Sequence, residues 1–249
     1  MPKLFTDNFP LVTTDAELQV LLRTYPKYDP YYVASGSIAS RKEEFEKLYE
    51  KYHPYADGHF LSEVKKQFHQ RTWEMYLGCA LLDRGISFIS EDVGPDILIE
   101  GSGKKIWIEC IACTRGDGDD KVPTLRYDGH VQDVPDDEMI IRVASALKNK
   151  YEKYKKYVAS GIVKEDDCFV IAVNAGALDH PEMMPLILQS VFPIGHQTLS
   201  FPIGGGEATS GWTTRPFRTK KNGSQVPTTF LLMANTLKSA ELFTAKTMY

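Results

Sequence analysis

The sequence predicts a mixed α/β fold whose centre runs helix, three strands, helix, strand, with a helical extension before it and a β-rich addition after it. Three observations predict it. Leu61, Val64, Phe68, Met75, Cys79 and Leu82 recur at helical spacing and the pattern stops at Gly85. Three short strand signals follow within residues 86–112, and the last two are joined through Gly101, Ser102 and Gly103. A second helical stripe then leads into the apolar run Cys168–Asn174.

Each element has a local reason. In residues 1–60, Ser40 followed by Glu43 reads as a capping box, with Phe45, Leu48 and Tyr52 at helical spacing behind it. Residues 61–84 read as one long helix. Its later half also carries Trp73, Leu77, Ala80 and Leu81, so it is apolar nearly all round and expected to be buried. Strands are expected at 86–90, 96–100 and 105–112. Pro135, Asp136, Asp137 and Glu138 open the second helix, since proline suits a first turn and acids suit its positive end. Ile140, Ala144, Leu147, Tyr151, Tyr154 and Val158 form its stripe, and Gly161 ends it. Further strands are expected at 197–201 and 228–233. The expected division is an N-terminal extension (1–60), a core (61–174) and a C-terminal addition packed on it (175–249).

Composition narrows the function. The chain has 249 residues, 43% apolar and 25% charged, which is enough to bury a core without disulfide or structural metal. A net charge of −4 excludes a protein that coats nucleic acid through a general cationic excess, though residues 148–156 and 215–221 offer local basic stretches. No apolar run reaches the length of a membrane span, and the N-terminus lacks a signal-peptide pattern, so a cytoplasmic protein is expected. Four cysteines suit a reducing compartment. Cys110 and Cys113 form a CxxC, but in a strand positions three apart point to opposite faces, which disfavours a metal or redox pair. The six histidines form no ligand cluster, and the IGGGE run at 203–207 lacks the Gly-Lys-Ser/Thr ending of a phosphate loop.

Chemistry concentrates on three acids. Asp96 opens the second strand and Glu109 lies near the end of the third, so a hairpin would bring both carboxylates to one end of the sheet, as a hard divalent cation requires. Glu74 falls in an apolar stripe of the first long helix, where a carboxylate needs a metal or a partner. A buried ion pair with Arg71, one turn earlier, is the structural alternative.

The runs RTWEMYLGCALLDRG, GPDILIE and KKIWIEC, in that order, resemble the core of the PD-(D/E)xK nuclease superfamily, over roughly residues 61–174. The likeness is to bacterial members with an R-x-W-E-x-Y-L helix and a third strand ending in I-E. The resemblance implies a restriction-endonuclease-like αβββαβ core with a mixed sheet. It implies Mg2+ or Mn2+ as cofactor, held by Asp96, Glu109, the Cys110 carbonyl and Glu74. It also implies nucleic acid as partner, DNA before RNA, with no membrane partner and a homodimer left open. The sequence departs from the pattern at Ile111, where the motif lysine should stand. The superfamily sometimes moves that lysine to the second helix. Lys150 is the expected replacement over Lys148, and Arg142 or Arg115 could also serve the phosphate. The expected activity is metal-dependent phosphodiester hydrolysis, with Glu74, Asp96, Glu109 and Lys150 catalytic. The alternatives are a catalytically degenerate fold that binds nucleic acid or protein, and a structural protein whose three acids are merely ion-paired.

Overall fold

The computed structural model describes residues 2–90, 93–101, 103–126, 128–178, 180 and 186–227. The fold is mixed α/β. The chain divides into two compact units, Met1–Ala112 with Glu152–Asn174, and Cys113–Tyr151 with Ala175–Tyr249. This partition does not follow the expected boundaries. The N-terminal segment belongs to the first unit, and residues 113–151 group with the C-terminal part.

The first unit opens with α1 (Asp15–Thr24), α2 (Pro30–Ser37) and α3 (Ala39–Tyr52). The capping box expected at Ser40 is absent. The helix of Ser40 starts at Ala39 behind Ile38, with no side-chain cap, and Glu43 instead pairs with Lys47 at 2.6 Å. The box that forms is Thr14 with Glu17, at the start of α1.

The expected long helix is broken into α4 (Phe60–Glu63) and α5 (Phe68–Asp83). A distant residue makes the break. The Asp29 amide donates to the Lys65 carbonyl at 2.7 Å, and its carboxylate accepts the Phe68 amide at 3.0 Å. Asp29 thereby satisfies a group on each side of the interruption, so a tertiary contact overrides helical periodicity. At the other end Gly85, at φ 70°, closes α5 as expected, and the amides of residues 84–86 fold back onto Leu81 and Leu82.

Strands β1 (Ile97–Gly101) and β2 (Lys104–Ala112) form the expected hairpin, in a register that pairs Ile97 with Ile108. β3 (Cys168–Asn174) lies parallel to β2 on its other side. The expected strand at 86–90 is reduced to one antiparallel bridge, Ile89 with Leu98, while Phe88 is drawn against Tyr55 at 4.6 Å between ring centres. The two faces of this mixed sheet bury different cores. Ile97, Ile108 and Cys110 pack with Met75 and Cys79 of α5. Leu98 and Trp107 pack with Tyr157 and Val163, Tyr157 lying near the end of α6 (Asp136–Ala159). Two indole groups fasten the layers: Trp73 donates to the Ala172 carbonyl and Trp107 to Asp167, both at 2.9 Å.

The second unit holds the loop after β2, the first part of α6, α7 (Leu186–Val191), and the antiparallel pairs β4 (Ile194–Ser200) with β5 (Thr209–Thr214) and β6 (Phe217–Thr219) with β7 (Gln225–Pro227). The strand expected at 197–201 is thus found, starting three residues earlier and ending one residue sooner. The one expected at 228–233 lies outside the described residues. The basic stretch 215–221 is spent on internal pairs: Arg215 with Asp137 at 2.5 Å, and Lys221 with Glu138 at 3.6 Å. Among the described residues no helix is long and apolar enough to cross a membrane.

Packing is tight where α5 meets the aromatic layer. A Cβ at Gly78 would stand 2.7 Å from Tyr52 Cε2 and 2.9 Å from Phe88 Cζ. Gly78→Ala gains helix propensity of about 1 kcal/mol, but overpacking of this kind costs roughly 1–3 kcal/mol. Net destabilisation is the expected outcome, read as a lowered midpoint in urea unfolding; a raised midpoint would show that the two rings yield freely.

Candidate active site

The site begins with an uncovered strand edge. β1 starts to pair at Ile97, so β2 has no β-strand neighbour on that side beyond Ile108. Main-chain groups left open in this way must find other partners. Asp96 supplies the first: its Oδ2 accepts the Cys110 amide at 2.6 Å. Gln70, on α5, supplies the next two, donating to the Cys110 carbonyl at 3.1 Å and accepting the Ala112 amide at 2.9 Å. The Cys110 carbonyl, an expected metal ligand, is therefore already engaged by the Gln70 amide.

Gln70 also sets the pose of α5. Residues four apart share a helix face, so the side chain that grips β2 brings Glu74 to the same edge. Glu74 is 3% exposed. Arg71 Nη1 donates to it at 2.7 Å and to Asp57 at 2.8 Å, and the same guanidinium holds Glu63. The expected structural alternative, an Arg71–Glu74 pair, is thus realised, but Glu74 is not closed by it. Asp96 is close enough to act on Glu74. Burial and the neighbouring Asp96 charge push the Glu74 pKa up to about 8, against the lowering influence of Arg71.

Glu109 is fully buried. Continuing the hairpin register by one residue sets it opposite Asp96. Its side chain lies on the same sheet face as Trp107, the face that packs against the end of α6. There Lys153 Nζ donates to Glu109 Oε1 at 2.7 Å, and Tyr157 Oη lies 3.4 Å from Oε2. Tyr157 also donates to the Gly94 carbonyl at 2.7 Å, which ties down the turn leading into Asp96. The Lys153 ammonium sits 5.4 Å from the centre of the Tyr157 ring. Burial works against the charged lysine, but its bonds to Glu109 and Tyr157 and the charges of both groups together outweigh it and lift the Lys153 pKa above its usual value.

A lysine bonded to Glu109 is Lys153, three residues beyond the expected Lys150 on α6. Gln70 and Tyr157 were also not foreseen. A readable signal existed for one of them: Lys153 and Tyr157 are four apart, so a lysine stem can lie along a phenol ring on one helix face. Nothing local marks Gln70. Arg115 and Arg142 lie in the second unit, where Arg115 donates to Thr124 and Pro123, and Arg142 to Thr114.

A divalent cation fits part of this arrangement. Glu74 and Asp96 are neighbouring hard oxygen donors, and a cation there would compete with the proton that burial favours on Glu74. Glu109 is held by Lys153, and among the described residues no group of three His, Cys, Asp or Glu side chains forms a ready cage. No family model, curated protein or solved structure matches the chain.

The raised Glu74 pKa gives a signed expectation. A folded-state pKa of about 8 against the ordinary glutamate value of 4.5 means stability that is fully present below pH 4.5 and lost as pH rises through 8. Glu74→Gln cannot ionise. Its unfolding free energy relative to wild type should therefore rise between pH 5 and pH 9, by roughly 2–5 kcal/mol. A pH-independent difference would mean that Glu74 is already ionised at pH 5.

Proposed function

We propose that the chain is a metal-dependent nuclease of the PD-(D/E)xK kind, acting on DNA in preference to RNA, in which Lys153 replaces the lysine missing at position 111. The single observation that carries the reading is the 2.7 Å bond between Lys153 Nζ and Glu109 Oε1. It brings an ammonium from the second long helix to the third acid of the motif, where Ile111 provides none.

Mg2+ or Mn2+, held by Asp96 and Glu74 and completed by Glu109, would supply charge neutralisation on the phosphate and a lowered pKa for the attacking water. The residues of the chain do the rest. Lys153 is cationic at neutral pH and has three N–H donors, of which the Glu109 bond takes one. A remaining donor can meet a non-bridging phosphate oxygen, where negative charge grows in the transition state. The Tyr157 hydroxyl fixes the turn that carries Asp96, and Gln70 fixes the strand that carries Glu109. Arg71 compensates Glu74 without closing it off from Asp96.

A second reading is favoured by the same bond seen from the other side. Both Glu109 oxygens have neighbours within the protein, which suits a fold that has ceased to cut and only binds.

The experiment is cleavage of plasmid, single-stranded DNA and RNA with Mg2+ and Mn2+. Wild type should cut at least one DNA form. Lys153→Met should lower the rate by about 10²–10³ with substrate affinity little changed, as for loss of one preorganised donor. Adding Ile111→Lys to that variant should restore part of the rate. Lys153→Met cutting like wild type removes the assigned role. A wild type that binds DNA and Mn2+ but cuts nothing establishes the binding module instead.

A further inference from the structure

We propose that a lysine-lined cavity at the start of α5 is a second anion subsite, which takes a backbone phosphate of the nucleic-acid strand away from the scissile bond. The proposal rests on the nuclease reading for its ligand, but its geometry is independent of the acidic centre.

The cavity has a volume of about 480 Å3. Three separate stretches build it: the N-terminal segment at Thr6, the connection after α1 with Lys27 and Tyr28, and α4 with the turn that follows it, through Ser62, Lys65 and Lys66. These are held together by bonds already described in part. The Lys65 carbonyl is gripped by the Asp29 amide at 2.7 Å. Its ammonium is bonded to Asp7 at 2.8 Å, and Asp7 also accepts from Tyr28 and Tyr32, each at 3.0 Å. The walls are thus set before any ligand arrives, which lowers the ordering cost of binding.

Charge selects the ligand. The lining contains three lysines and no acid, in a chain whose net charge is −4. Lys65 is balanced by Asp7 beneath it, whereas Lys27 and Lys66 have no carboxylate within ion-pair distance among the described residues. The nearby Glu63 is held by Arg71. The basic stretch 215–221, by contrast, is consumed by Asp137, Glu138 and Asp120. Two uncompensated ammonium groups beside a cavity fit a phosphate oxygen, and the apolar stems of the lysines with Leu61 and Tyr28 leave room for the sugar or base attached to it. Reach is suitable as well. The cavity lies where α5 begins and Glu74 stands six residues beyond Phe68, about 9 Å along the axis at 1.5 Å per residue. That is a span of a few nucleotides, at about 3.4 Å of duplex axis per phosphate on one strand.

The test is binding by the full chain, in EDTA so that nothing is cut, of a short fluorescent single-stranded oligodeoxynucleotide across a salt series, with inorganic phosphate as a second probe. Lys27→Gln/Lys66→Gln should weaken oligonucleotide binding by about tenfold and reduce the slope of log K against log salt by about 1–2. Its thermal midpoint should equal that of wild type, because neither lysine has a folded-state partner to lose. Lys3→Gln/Lys47→Gln, a like charge change outside the cavity, should leave the slope closer to wild type. An unchanged slope and affinity in the cavity variant overturns the subsite while leaving the nuclease reading intact. If wild type binds no oligonucleotide, yet holds inorganic phosphate and loses it with the two lysines, the subsite stands and the nucleic-acid reading falls. Binding of neither probe overturns the subsite.

Discussion

The end of β1 at Ile97 is the constraint from which the rest of the acidic centre follows. The residue that the register would set opposite Cys110 is Pro95, which has no N–H to offer the Cys110 carbonyl, so β1 does not extend along this edge. Because it does not, one carboxylate and one amide must reach in. The amide comes from α5, and an amide from α5 brings Glu74 with it, one turn on. The carboxylate comes from the residue just before the strand, and it meets Glu74 there. A shortened edge strand thus gathers two acids that sequence separates by more than twenty residues.

Charge then decides the chemistry of the cluster. Three buried or half-buried carboxyls, Glu74, Asp96 and Glu109, meet two cations, Arg71 and Lys153. Arg71 is shared with Asp57 and Glu63, so its compensation of Glu74 is partial. The shortfall appears as the raised Glu74 pKa. Taking up a proton is one way to settle a deficit of positive charge in a desolvated site, and taking up a divalent cation is the other. On the proposed reading the two exchange with one another, which links metal affinity to pH.

What the sequence made legible was whatever depends on neighbours along the chain. The strand Cys168–Asn174, the Gly101 to Gly103 hairpin and the start of the second long helix all follow from local patterns. So do the three acids, because a hairpin register and a helix face fix where they go. What failed depends on residues far away. The helix through Leu61 breaks because Asp29, over thirty residues earlier, inserts at Lys65 and Phe68. Ser40 cannot cap because α3 starts at Ala39, two residues after α2 ends at Ser37, leaving Ser40 already inside a helix. The strand at 86–90 shrinks to one bridge as Phe88 turns to Tyr55. Lys150 is favoured over Lys148 by resemblance and not by spacing; the lysine bonded to Glu109, Lys153, stands one helical turn before Tyr157, a pairing that spacing alone makes visible.

The isoleucine at 111 does not by itself argue for lost catalysis. Pairing a fully buried carboxylate with a lysine is a poor way to gain stability, since two apolar side chains of similar volume would do as well or better. The strand face around Glu109 is otherwise made of residues such as Trp107, and the facing helix end offers Tyr154, Tyr157 and Val158, so an apolar contact was available there. A fold under selection for stability alone has no reason to keep Glu109 and Lys153 in that setting. Nor does Lys153 sit at random on its helix: its ammonium is steadied by a ring from its own next turn, which limits the orientations it must give up when it meets an anion. On the proposed reading the missing lysine would supply one cationic donor beside Glu109, a requirement of position in space that Lys153 of α6 could meet without residue 111.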